Sequence, residues 1–285
     1  MRHQRSQSDH DPSLICVLDI ETLVQPEHAD PGGGFVKWVH HRPLVASVLL
    51  CEAMGRGRYE FELTSLQCEA GGERHFYAQL NGLLPRQATL VGWNTSGFDL
   101  PALALGAIGV RKFDASNLSA FHRSHRYGSE HLDLADVYGR HGAAPKPSLA
   151  EVCARIGVPV KTTSHGSHVG DLAAAGKADE IARYCEEDVS ATAVAAWAWF
   201  AWRDANDALL AEPLAAFSRW IEAAPERHHL LGIANCEPAR WARRRALVLT
   251  IGHARDRAEL RLMHERRRRI FAGEEPLFRE AGPGF

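Results

Sequence analysis

Apolar positions recur along this chain with two different periods. SLICVLDIE, residues 13–21, is an almost unbroken apolar run of strand length bounded by turn-forming neighbours, the pattern of a strand buried on both faces. PLVASVLLCEA and RYEFELT predict two further strands, with MGRG between them as a hairpin turn. From Glu73 to Leu84 the spacing turns helical, TLVGWN follows as a short strand, and DLPALALGAIGV reads as a helix with proline near its start and glycines near its end. HLDLADVYG fits either period. SLAEVCARIG opens with Ser148 and Glu151 at capping-box spacing and closes on Gly157. One long helical pattern then runs from about Lys177 to Ala211. QPEHADPGGG and VKTTSHGSHVGD have the composition of loops.

Strands clustered first, then strands alternating with helices, predict an α/β domain: a mixed sheet with helices on its faces. Residues 1–12 are polar and expected to be disordered, 13–211 to form the domain, and 212–285 to be a mainly helical extension docked through Trp220, Ile221, Leu230 and Leu231. The 285 residues, 45% hydrophobic, suffice to bury a substantial core. The net charge of -2 conceals an asymmetry, because residues 236–285 hold twelve Arg against seven acids, leaving 21 basic against 28 acidic residues elsewhere. A basic tail on an acidic body suits a polyanionic partner. Six cysteines show no C-x-x-C pair and several sit in apolar runs, as expected for reduced core thiols. MRHQRSQSDHDPS has no apolar signal region, and AVAAWAWFAW is too short to span a bilayer. The expectation is a cytoplasmic protein with no membrane partner.

Three segments carry candidate chemistry, each with a plainer alternative. In DIET, Asp19 and Glu21 project to one face of a strand end, where two carboxylates repel and are costly to desolvate. A divalent cation resolves that cost, since Mg²⁺ takes hard oxygen ligands; a strand end emerging into water would serve as well. In NTSGFDL, a short strand delivers Asn94 to a turn and Asp99 to a helix start, where Asp is also a good N-cap. In YCEED, Tyr184 and Asp188 lie about 40° apart around a helix, whereas Glu186 and Glu187 fall about 200° and 300° from Tyr184 and are expected to be solvated. Tyr184 on the core with Asp188 in water is the ordinary alternative.

In that order and spacing, DIET, NTSGFD and YCEED resemble the three motifs of the DEDD superfamily of 3′-5′ exonucleases, and the tyrosine resembles its DEDDy branch. Over about residues 13–203 the chain looks most like the exonuclease domain of family B DNA polymerases and their stand-alone bacterial relatives, with HLDLADVYG, SLAEVCARIGVPVK and IARYCEEDVSAT as supporting text. The resemblance implies a DnaQ-like, ribonuclease H-like fold with a five-stranded mixed sheet flanked by helices. It implies that Asp19, Glu21, Asp99 and Asp188 hold two divalent ions, Mg²⁺ or Mn²⁺, which clamp the scissile phosphate, while Tyr184 orients the attacking water. It implies hydrolysis at a nucleic-acid 3′ end, with single-stranded DNA favoured and nucleoside 5′-monophosphates released. Thr22, Asn94, Phe98, Lys161 and His165 are the candidate substrate contacts, with fastening of the turn as the alternative for Asn94 and a solvated loop as the alternative for Lys161 and His165. A role in DNA repair, with a polymerase or repair protein as partner, is the corresponding expectation. An RNA 3′-exonuclease of ribonuclease D type and a non-catalytic nucleic-acid-binding module are the alternatives.

Other features have bland accounts. Sixteen histidines, including His131, His165 and His168, lack the spacing of zinc ligands and read as scattered surface residues, which leaves a zinc hydrolase unsupported. Trp197, Trp199 and Trp202 lie on the long helical pattern and are expected to pack it against the sheet or the extension. The run Arg266 to Arg269, with Arg243 to Arg245 upstream, suits either a solvated helix or a nucleic-acid backbone.

Overall fold

A computed structural model describes residues 11–28, 34, 36–55, 57–125, 127–160 and 167–272. The first apolar run forms β1 (Asp11–Val24), which begins within the polar segment expected to be disordered; residues 1–10 lie outside the described ones. The hairpin follows as β2 (His41–Gly55) and β3 (Arg58–Gln67). α1 (Glu73–Leu83), β4 (Ala88–Gly92), α2 (Asp99–Gly109), α3 (Ser116–His122), β5 (His131–Asp133) and α4 (Leu134–Tyr138) come next. The five strands form one sheet in the order β3-β2-β1-β4-β5, with β2 antiparallel to both β1 and β3, and with β4 and β5 parallel to β1. This is the ribonuclease H-like mixed sheet that the resemblance implies.

The ambiguous HLDLADVYG is both things in turn. His131–Asp133 completes the sheet, and Asp133 then caps α4 by accepting from the backbone nitrogens of Ala135 and Asp136. α5 (Leu149–Ile156) carries the capping box of Ser148 and Glu151 and ends on Gly157 at a φ of 78°, a left-handed cap that glycine adopts without strain. Residues 167–171, the end of VKTTSHGSHVGD and expected as loop, belong to α6 (Ser167–Ala174).

The long helical pattern divides. α7 (Ala178–Arg203) ends at Asp204, Ala205 turns left-handed at a φ of 49°, and α8 (Ala208–Glu222) starts anew. The expected boundary between residues 211 and 212 therefore falls inside α8. A 3₁₀ turn at Pro225–Leu230, α9 (Leu231–Ala234) and α10 (Glu237–Phe271) complete the extension. Its Leu214, Phe217, Ile221 and Leu230 are buried in the same cluster as Val17 of β1 and Val189 of α7. Trp197 is in that cluster too, edge-on to Phe61 and Phe217, and Trp199 meets Tyr138. Trp202 departs from expectation, being 74% exposed. The cysteines are all free thiols, and all but Cys68 are buried. Among the described residues no helix is long and apolar enough to cross a membrane.

Candidate active site

Strand parity decides where the first motif points. Cys16, Leu18 and Ile20 enter the core formed with α1 and α2, whereas Ile15 and Val17 face the core built on α7. Asp19 and Glu21 share the second parity, so both carboxylates face α7. Beside them β2 carries a bulge: Glu21 pairs with Val45 but Thr22 with Pro43, leaving Leu44 as the extra residue. Bulges of this kind re-aim the side chains next to them.

α7 supplies the third motif from above. Oxygens of Asp19, Glu21 and Asp188 all lie within 4.8 Å of one another, and the Tyr184 hydroxyl donates to the Asp188 carboxylate. Asp99 reaches the same strand from the far side of the sheet. It is the first residue of α2 rather than its N-cap, which is Phe98. Its Oδ1 accepts from the backbone nitrogen of Ile20 at 3.2 Å, tying the helix start to the one residue between Asp19 and Glu21.

Electrostatics confirm the crowding. Burial, then repulsion from Asp99, Asp188 and Glu21, holds the Asp19 carboxyl well above the ordinary carboxylate range, and Glu21 is raised for the same reasons. Burial pushes Asp99 up to about 7, against the pull of its backbone hydrogen bonds. Asp188 also rises to about 7, through burial and the neighbouring Glu187, with the Tyr184 hydrogen bond opposing. The donor set is all oxygen and carries excess negative charge, which fits a hard divalent cation.

The second motif is a turn held by residues the sequence did not single out. Asp133 accepts from the backbone nitrogens of Asn94 and Ser96, each at 2.9 Å. Asn94 adopts a left-handed φ of 58°, and its Oδ1 accepts from Lys146, whose Nζ also pairs with Asp136 at 2.7 Å. Asn94 thus fastens the turn. A Cβ on Gly97 would lie 2.7 Å from that same Oδ1. Thr95 is fully buried and bonds His131 at 2.8 Å, so His131 is a core residue and not a surface histidine.

Of the expected substrate contacts, Thr22 and Phe98 come together at His41. Its Nε2 donates to the Val36 carbonyl at 3.1 Å, leaving Nδ1 to accept from Thr22 at 2.7 Å, and the Phe98 ring meets it edge-on at 4.9 Å. Burial lowers the His41 pKa, in keeping with the neutral ring this pattern needs. Lys161 and His165 lie outside the described residues.

Glu186 and Glu187, expected in water, are both half-buried. Glu186 accepts from Ser65 at 2.7 Å, and its other oxygen lies 2.7 Å from His229 Nε2. Burial opposes its charge, but the close His229 ring and the Ser65 hydroxyl outweigh that and leave its pKa below the ordinary value. A cavity of about 380 Å³ lies at the opposite end of β1, lined by Ser13, Ile15, Tyr59, Trp197 and Phe200, away from the carboxylates.

A family model described as a predicted 3′-5′ exonuclease related to the exonuclease domain of PolB matches residues 33–203. The match includes Asp99, Tyr184 and Asp188 and starts after Asp19 and Glu21, which geometry adds. Among solved structures, the chain is similar to the family B DNA polymerase of the hyperthermophilic archaeon Pyrobaculum calidifontis, at 19% identity and a TM-score of 0.40, covering 79% of this chain and 27% of the polymerase. It is also similar to E. coli exonuclease I in complex with a dT13 oligonucleotide, at 15% identity and a TM-score of 0.36, covering 77% of this chain and 45% of that one. The chain spans less than half the length of these two proteins. No curated protein matches it.

Proposed function

We propose that this chain, which belongs to the family of predicted 3′-5′ exonucleases related to the exonuclease domain of PolB, removes nucleotides from the 3′ end of single-stranded DNA and releases nucleoside 5′-monophosphates. The observation that carries the reading is the convergence of Asp19, Glu21 and Asp188 from a strand and a helix 167 residues downstream of Glu21, with Asp99 tied to the strand between the first two. Four acids that repel one another in the core are a poor structural device and a good cation site. Asp19, Glu21 and Asp188 would hold one divalent ion, Mg²⁺ or Mn²⁺, and Asp99 with Asp19 a second. Bound there, the ions would supply Lewis-acid stabilisation of the phosphoryl oxygens and lower the pKa of water at the site.

The protein's own part is placement. Tyr184 stands one helical turn before Asp188 with its hydroxyl on that carboxylate, in position to orient an attacking water. Asp99, anchored on the Ile20 nitrogen, gives the second motif a fixed distance from the first. Thr22 and Phe98, braced by His41, are the proposed contacts of the terminal nucleoside, Phe98 offering a ring on which a base can stack. Asn94 acts through the turn.

The test uses 5′-labelled single-stranded DNA, duplex DNA and RNA, incubated with Mg²⁺ or Mn²⁺ and the wild type, Asp99→Ala or Asp188→Ala. The expected result is a ladder shortening from the 3′ end with the wild type, fastest on single-stranded DNA, and activity at background in both variants while their circular dichroism stays native. Full activity in either variant would remove the basis of the assignment. Faster digestion of RNA would move the substrate to the ribonuclease D type, and no cleavage with any substrate would leave a binding module.

A further inference from the structure

The half-buried Glu186 belongs to a polar row that crosses the sheet under α7. Strand register sets Ser47 opposite Asp19 and Ser65 opposite Ser47, so the three side chains line one face of β1, β2 and β3. Ser47 and Ser65 are 2.8 Å apart, oxygen to oxygen. α7 closes over this row at two consecutive residues. The Cys185 thiol donates to Asp19, 3.3 Å from Oδ2 and 3.4 Å from the backbone oxygen, and Glu186 takes the hydroxyl of Ser65. The last member comes from outside the sheet: His229, on the 3₁₀ turn Pro225–Leu230, stands 2.7 Å from the second Glu186 oxygen. That turn is itself pinned, by the buried Leu230 and by Arg227 lying over the Trp220 ring at 3.9 Å.

This grip adds to the buried Ile181, Val189 and Trp197 in fixing the rotation of α7, because the stretch between Val189 and Trp197 offers little of its own. From Ser190 to Ala196 its buried side chains are Ser, Ala, Thr and Val, short groups that let the helix lie close to the sheet without interlocking knobs. Side-chain tips on a helix lie about 6 Å from the axis, so a roll of about 10° moves a carboxylate about 1 Å. Metal–ligand distances tolerate about 0.2 Å. Glu186 stands far around the helix from Asp188, and a tether on that side limits roll in both directions.

We propose that His229 of the C-terminal extension is a positioning residue for the carboxylate site: with Ser65 it holds Glu186, and so sets the rotation of α7 that brings Asp188 to Asp19 and Glu21. The proposal rests on the reading of those acids as a cation site. It extends the functional unit beyond residues 33–203, the segment matched by the family model.

The test is Mn²⁺ binding by the full chain without substrate, followed by the electron paramagnetic resonance of free Mn²⁺, together with the Mg²⁺ dependence of 3′-end digestion. His229→Ala should weaken Mn²⁺ binding about 10-fold or more, the range for partners that orient metal ligands. Digestion should return towards the wild-type rate at saturating Mg²⁺, and His229→Gln, which still offers an N–H, should restore much of the affinity. A mere packing role for His229 would lower Tm and leave the binding constant unchanged. Should His229→Ala fail to fold, Ser65→Ala removes the other hold on Glu186 and is expected to weaken Mn²⁺ in the same way. A wild-type constant in these variants would overturn the positioning role alone. No Mn²⁺ binding by the wild type would overturn the cation reading, and this proposal with it.

Discussion

The four carboxylates at the site are reached by three kinds of backbone logic: strand parity for Asp19 and Glu21, a backbone hydrogen bond for Asp99, helix phase for Asp188. Bringing them together has a thermodynamic consequence. Asp99 and Asp188 titrate near 7 in the fold against an ordinary carboxylate value of about 4, so between those values the folded chain binds more protons than the unfolded one. Stability without metal therefore falls as pH rises from about 4 to about 7. We expect Tm in EDTA to drop over that interval and Mg²⁺ to raise it more at pH 8 than at pH 5. Asp188→Asn should raise the metal-free Tm at pH 8 by a few degrees, about 2–4 °C per kcal/mol, and abolish the Mg²⁺ response; scanning calorimetry measures both. Parity and phase are periodic, so Asp19, Glu21 and the facing of Tyr184 with Asp188 were legible in the sequence. Glu186 was not: a helical wheel places it far around from Tyr184, but not that β3 and His229 stand there instead of water.

At the scale of elements, the four predicted strands and the helices α1, α2 and α5 were legible, because alternation and helical spacing survive folding, whereas α3 and α6 were not. The break between α7 and α8 falls at Arg203 to Asp207, a polar stretch that the single long helical reading ran through, and Ala205, at a φ of 49°, turns the chain there. The turn after β4 was legible as a turn, but its fastening was not, because Asp133 is contributed by β5 from 39 residues downstream of Asn94. Gly92 shows how tightly that turn is built: a Cβ there would lie 2.2 Å from Thr95 Cγ2 and 2.9 Å from the Leu18 carbonyl oxygen. Gly92→Ala is therefore expected to cost on the order of 1–3 kcal/mol by forcing β4 from β1, measured by urea unfolding. Because α2 follows directly and carries Asp99, digestion should fall as well, whereas Gly82→Ala, where a Cβ meets open space, should leave it unchanged.

Over the whole molecule, the extension is bound to the sheet domain through α8 and then departs from it along α10. The first turns of α10 bury Ala239 and Ala242, but Leu247, Val248, Ile251, Leu260, Leu262 and Met263 are 54–67% exposed and Arg266 to Arg269 stand at its far end. Changing those four arginines to alanine should reduce the slope of log affinity against log salt for single-stranded DNA by up to about 3, at roughly 0.7 per phosphate contact. A fluorescence-anisotropy salt titration reads this, and an unchanged slope would make the run a solubility feature. The charge imbalance between tail and body was legible from composition; the projecting helix that carries it depends on where packing stops. α7, between the sheet and this extension, holds Cys185 fully buried against Asp19, where burial and that carboxylate raise the thiol pKa well above its usual value. A thiolate can form there only when the helix lifts from the strand. Alkylation of Cys185 therefore clocks how firmly that helix is seated, and the protein carries the reporter in its own sequence.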